Sequence, residues 1–86
     1  MTLDQLRRRI DRIDEKLLRL LNQRASAALQ IGRIKKQHGL PVFDGKRERA
    51  VLGRLVRGNG GPLPAASVKV IFREILRRHR GLQGKG

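Results

Sequence analysis

Residues 3–36 read LDQLRRRIDRIDEKLLRLLNQRASAALQIGRIKK, and the placement of apolar side chains in this stretch decides the fold. Positions 3, 6, 10, 13, 17, 20, 24, 27, 31 and 34 recur in steps of three and four, the spacing of one helix face. They are Leu, Leu, Ile, Ile, Leu, Leu, Arg, Ala, Ile and Ile, so Arg24 alone interrupts an apolar stripe. Thr2 and Gln5 have the spacing of a capping box at its start, and Gly39 with Pro41 behind it marks the end. Such a helix, about 35 residues at 1.5 Å each, is about 52 Å long. A compact globule of this chain's size has a radius of gyration of only about 12 Å. The chain is too short to wrap its own first helix, and the stripe asks for a partner.

Downstream, Asp44 is a candidate N-cap for a second helix with Val51, Leu52, Leu55 and Val56 on one side, weakened by Gly53. RGNGGPLP, residues 57–64, is a loop by its glycines and prolines. A third helix from about Pro64 turns Val68, Ile71, Phe72, Ile75 and Leu76 inward. Residues 83–86 are expected to be a disordered tail unless the helix persists past Gly81. The expected fold is all-α, with three helices in one domain over residues 1–86.

The 21 Lys and Arg against 7 Asp and Glu give a net charge of +14, which attracts anions of any kind. The chain has only two aromatic residues, Phe43 and Phe72, so it lacks a stacking platform for single-stranded nucleic acid. Its basic residues are spread over all three helices instead of forming an arm. A small anionic ligand therefore competes with nucleic acid as the partner, and a basic nucleic-acid-binding dimer is kept as an alternative. No cysteine is present, which excludes disulfides and thiolate metal sites. No apolar run approaches the roughly 20 residues of a membrane span, and a soluble, cytoplasmic protein without membrane contact is expected.

Arg24 has company. Lys35, eleven residues on, lies about 20° off the same face and about 16 Å along the axis. Arg7 projects from nearly the same face but lies about 25 Å before Arg24, out of reach within one helix. In an antiparallel two-fold dimer crossing near Leu18, the partner's Arg7 would stand beside the span between Arg24 and Lys35. Arg24 could instead extend its guanidinium to water or pair with a carboxylate. Three buried cations would need a counter-anion, so a ligand with at least two negative charges is expected.

The segments LRRRIDRIDEKLLRLLNQRASAALQIGRIKK, HGLPVFDGKRERAVLGRL and IFREILRRHRGLQ, in this order and spacing, resemble the all-helical AroQ-type chorismate mutases from Leu3 to Gln83. The resemblance implies an intertwined antiparallel homodimer that rearranges chorismate, a dicarboxylate, to prephenate on the route to phenylalanine and tyrosine, without cofactor or metal. It further implies that Arg24 and the partner's Arg7 grip the two carboxylates, and that Lys35 and Gln83 donate to the ether oxygen. Arg47 would line the pocket, and Asp44 and Glu48 would hold the ring hydroxyl. His79 stands where family members often have serine. It is either a wet helix-end residue or a substrate contact that tightens binding as it protonates. Gly45 replaces a common proline, which leaves the second helix less firmly started. An isochorismate-pyruvate lyase of the same fold is the alternative within this architecture.

Overall fold

A computed structural model describes residues 1–84 as three helices: α1 (Leu3–Gln37), α2 (Gly45–Gly58) and α3 (Ala65–Gln83). The start of α1 is fixed by a reciprocal cap, in which the Gln5 amide donates to Thr2 Oγ1 at 3.1 Å and the Thr2 amide to Gln5 Oε1 at 2.9 Å. Its end is fixed at Gly39, where φ is +63° and the chain turns so that the Leu40 amide reaches the Lys35 carbonyl at 2.8 Å. Asp44 caps α2 by accepting from the Arg47 amide at 3.0 Å. The described chain measures 54 × 24 × 15 Å with a radius of gyration of 15.9 Å, the shape that one 35-residue helix imposes. Among the described residues no helix is long and apolar enough to cross a membrane.

α3 packs against both α1 and α2, and α1 and α2 do not pack on each other among the described residues. The face that α1 offers to α3 is not the apolar stripe. Its buried or half-buried positions are Leu21, Arg24, Ala25, Ala28, Leu29, Gly32 and Lys35; of these only Arg24 belongs to the stripe, and the others stand one or two residues beyond a stripe position. The small side chains of this face admit α3, while the stripe stays in solvent. Leu3, Ile10, Ile13, Leu17, Leu20 and Ile34 each keep half or more of their surface exposed.

Three expectations need correction. α2 continues through Arg57 and Gly58, so the loop begins at Asn59. Ile71 is 46% exposed, and the inner side of α3 is Val68, Leu76 and His79, flanked by the half-buried Phe72 and Ile75. The tail does not begin at Gln83, because α3 passes through Gly81 and closes with the Gly84 amide on the Arg80 carbonyl at 3.3 Å. Contacts of Gln83 with α1 outweigh the intrinsic weakness of a helical glycine, roughly 1 kcal/mol. The rest of the expected tail, residues 85 and 86, lies outside the described residues.

Candidate active site

A cleft of about 450 Å³ opens between α1, α3 and the start of α2. α1 lines it with Arg24, Ala27, Ala28, Ile31 and Lys35; the segment before α2 adds Val42 and Asp44; α2 adds Arg47, Glu48 and Val51; and α3 adds Leu76, His79, Arg80 and Gln83. Of the eight residues singled out in the sequence, seven meet here: Arg24, Lys35, Asp44, Arg47, Glu48, His79 and Gln83. Arg7 does not line the cleft; seventeen residues upstream on a straight helix, it is about 25 Å from Arg24.

Lys35 is the hub. Its ammonium donates to the Val42 carbonyl at 2.8 Å and to Gln83 Oε1 at 3.0 Å, tying α1 to the segment before α2 and to the end of α3. An ammonium has three protons and no lone pair, so Gln83 must present its oxygen to Lys35. One ammonium N–H and the Gln83 amide N–H groups are left as neighbouring donors on the wall of the cleft. The close approach is made possible by Gly32, where a Cβ would stand 2.9 Å from Gln83 Cα and 3.1 Å from its Cβ.

Arg24 Nη1 lies 2.7 Å from His79 Nδ1. A guanidinium can only donate, so Nδ1 accepts and the ring proton sits on Nε2. His79 is not a wet helix-end residue; it is 9% exposed, and its pKa is lowered from 6.5, first by burial and then by the charge of Arg24. Its Nδ1 faces Arg24, while the residue also lines the cleft. At the other end of the cleft, Asp44 spends one oxygen on the α2 cap, and both oxygens of Glu48 accept from Arg80 Nη1, at 2.8 and 2.6 Å. Four permanent cations (Arg24, Lys35, Arg47, Arg80) face two carboxylates (Asp44, Glu48), an excess of two positive charges with His79 neutral. Such a cleft favours a dianion.

Sequence inspection missed Arg80, Gly32 and the Val42 carbonyl. Arg80 is one of four arginines crowded on α3, and nothing in the sequence separates it from Arg77 and Arg78, which pair with Glu74 on the solvent side. Gly32 carried a signal, being a glycine inside a helix on the same face as Ala25 and Ala28, but only the position of α3 gives it meaning.

The model of the family described as chorismate mutase type II matches residues 6–84. A bifunctional chorismate mutase/prephenate dehydratase of Aquifex aeolicus is 42% identical over 96% of this chain, and the chain spans 24% of that relative's length. Among solved structures, a chorismate mutase of Thermus thermophilus superposes with a TM-score of 0.94 at 35% identity, covering 95% of this chain and 93% of that one. A chorismate mutase of Helicobacter pylori in complex with prephenate superposes with a TM-score of 0.88 at 31% identity, covering 96% and 90%.

Two outcomes follow from this geometry. Gly32→Ala, which by helix propensity alone should stabilise α1 by about 1 kcal/mol, is expected to destabilise by about 1–3 kcal/mol, because the added methyl overpacks against Gln83. Urea denaturation measures it, and a gain in stability would show that α3 can retreat freely. For His79, whose folded pKa is depressed below 6.5, the unfolded chain takes up the proton first as pH falls, so stability is full above about 6.5 and is lost below it. His79→Asn keeps an acceptor near Nδ1 without titrating, and its denaturation midpoint should fall less than the wild type's between pH 6.5 and about 5. Equal slopes would refute the assignment.

Proposed function

The chain belongs to the type II chorismate mutase family, and from that membership we propose that it rearranges chorismate to prephenate, acting as one catalytic domain in a homodimer. The reaction is an intramolecular [3,3] shift: the ether carbon–oxygen bond breaks as a carbon–carbon bond forms, and no atom enters or leaves. The protein needs only to hold the reactive conformer and stabilise charge growing on the ether oxygen.

The observation that carries this reading is the Lys35–Gln83 bond. It leaves an ammonium N–H and an amide N–H side by side, able to converge on one oxygen, in a cleft with excess positive charge. Arg24, held by His79, grips one carboxylate through its remaining N–H groups. Asp44 and Glu48 accept from the ring hydroxyl through lone pairs not spent on the α2 cap and Arg80, and Arg47 lines the remaining side. The second carboxylate falls to the partner's Arg7. Support for the dimer comes from the half-exposed stripe of α1, which a second copy laid antiparallel would cover.

Chorismate loss, followed by its absorbance, tests the activity. Lys35→Ala should retain its helical spectrum and lose kcat by about 10²–10³, the effect of removing one preorganised donor to a developing oxyanion; an active Lys35→Ala enzyme would refute this role.

The shared site has its own test. Arg7→Ala and Lys35→Ala homodimers should both be inactive. Refolded together in equal amounts, they should recover about a quarter of wild-type activity, because each mixed dimer contains one site with Lys35 from one chain and the intact Arg7 from the other. Recovery of nothing, with dimers present, would place Arg7 outside the partner's site.

A further inference from the structure

Arg80 joins three parts of the chain. Its Nη1 donates to both oxygens of Glu48 on α2, and its guanidinium carbon lies 4.8 Å from the centroid of the Phe43 ring in the segment before α2. That segment also supplies the Val42 carbonyl that holds Lys35. A Cβ at position 45 would stand 3.2 Å from Phe43 Cζ, so Gly45 leaves the ring its place under the guanidinium.

The Arg80–Glu48 pair differs from the other ion pairs of α3. Its side chains are only 29% and 24% exposed, whereas those of Arg77, Arg78 and Glu74 are 57%, 72% and 52% exposed. The outer pairs are screened by water and worth little. The inner one sits on the wall of the cleft that holds Arg24 and Lys35, where a fixed charge acts on whatever is bound.

A carboxylate in a cleft for a dianion is a liability unless its charge is cancelled. We propose that Arg80 is a positioning and specificity-determining residue: it cancels the charge of Glu48 and fixes its carboxylate, so that the cleft accepts a dicarboxylate bearing a hydroxyl without repelling it. This rests on the reading of Glu48 as the partner of the ring hydroxyl. The Phe43 ring holds the guanidinium plane by a cation–π contact, so the cation stays in the cleft wall and does not compete for the ligand's own carboxylates.

Prephenate binding by calorimetry and chorismate turnover, measured on the same dimeric protein, test the proposal. Arg80→Leu keeps the aliphatic bulk and removes the charge. Its prephenate Kd and its KM should rise about tenfold, with kcat changed by less than about threefold and the helical spectrum preserved. Adding Glu48→Gln removes the exposed negative charge while its amide oxygen still accepts from the hydroxyl. The double variant should bind prephenate several-fold more tightly than Arg80→Leu alone, without regaining the wild-type Kd, which a merely structural role of Arg80 would not produce. An unchanged Kd in Arg80→Leu, or a double variant no better than the single one, would overturn the proposal. The underlying reading fails separately: wild-type protein that binds prephenate but leaves chorismate intact refutes the activity alone, and rescue by Glu48→Gln would still establish the role of Arg80. Protein that binds no prephenate overturns both.

Discussion

The approach of α3 to α1 at Gly32 is the constraint on which the remaining structure depends. Two helices normally keep 8–10 Å between their axes because side chains interpose. At Gly32 no side chain interposes, and Gln83 comes to where a Cβ would be. That contact carries α3 past Gly81, sets Gln83 beside Lys35, and aligns His79 with Arg24 one turn earlier. The chemistry of the cleft is thus laid out by an absent methyl group more than by any attractive pair.

The second organising feature is how the cations are held. Two of the four are tied by acceptors that cost them little charge: Arg24 by a neutral imidazole nitrogen and Lys35 by a backbone carbonyl and an amide oxygen. Arg80, by contrast, is tied by a carboxylate. Neutral acceptors fix direction while leaving the field uncancelled, which is what preorganised electrostatic stabilisation requires. Burial of such groups is expensive without an anion, and Arg24 and Lys35 are only half-buried.

Much of this was legible in the sequence because it is local. The capping box at Thr2 and Gln5, the turn at Gly39 and the cap at Asp44 are short-range bonds with fixed spacing, and helix periodicity alone placed Lys35 on the face of Arg24. What was not legible is tertiary. The stripe of leucines and isoleucines asked for a partner, but its spacing did not say which face α3 would take; α3 packs on the neighbouring face of alanines and Gly32, since small residues admit a backbone that leucines exclude. Gly81 looked like a helix end until the bond from Lys35 held Gln83 in place. Arg80 is indistinguishable from its neighbours until Glu48 and Phe43 stand beside it, and His79 is polar enough to pass for a surface residue.

The interior of a single chain is sparse: Ala28, Val51, Val68 and Leu76 are its buried apolar residues, and no large side chain among the described residues is fully enclosed. Four modest side chains cannot offset the ordering of a helix as long as α1. Were a second copy to cover the stripe, as proposed above, acquiring the fold and finding a mate would become one event, and resistance to denaturation a mass-action quantity. A dilute solution of this protein would then be a less stable one, and its temperature tolerance would be a property of the population and not of the molecule.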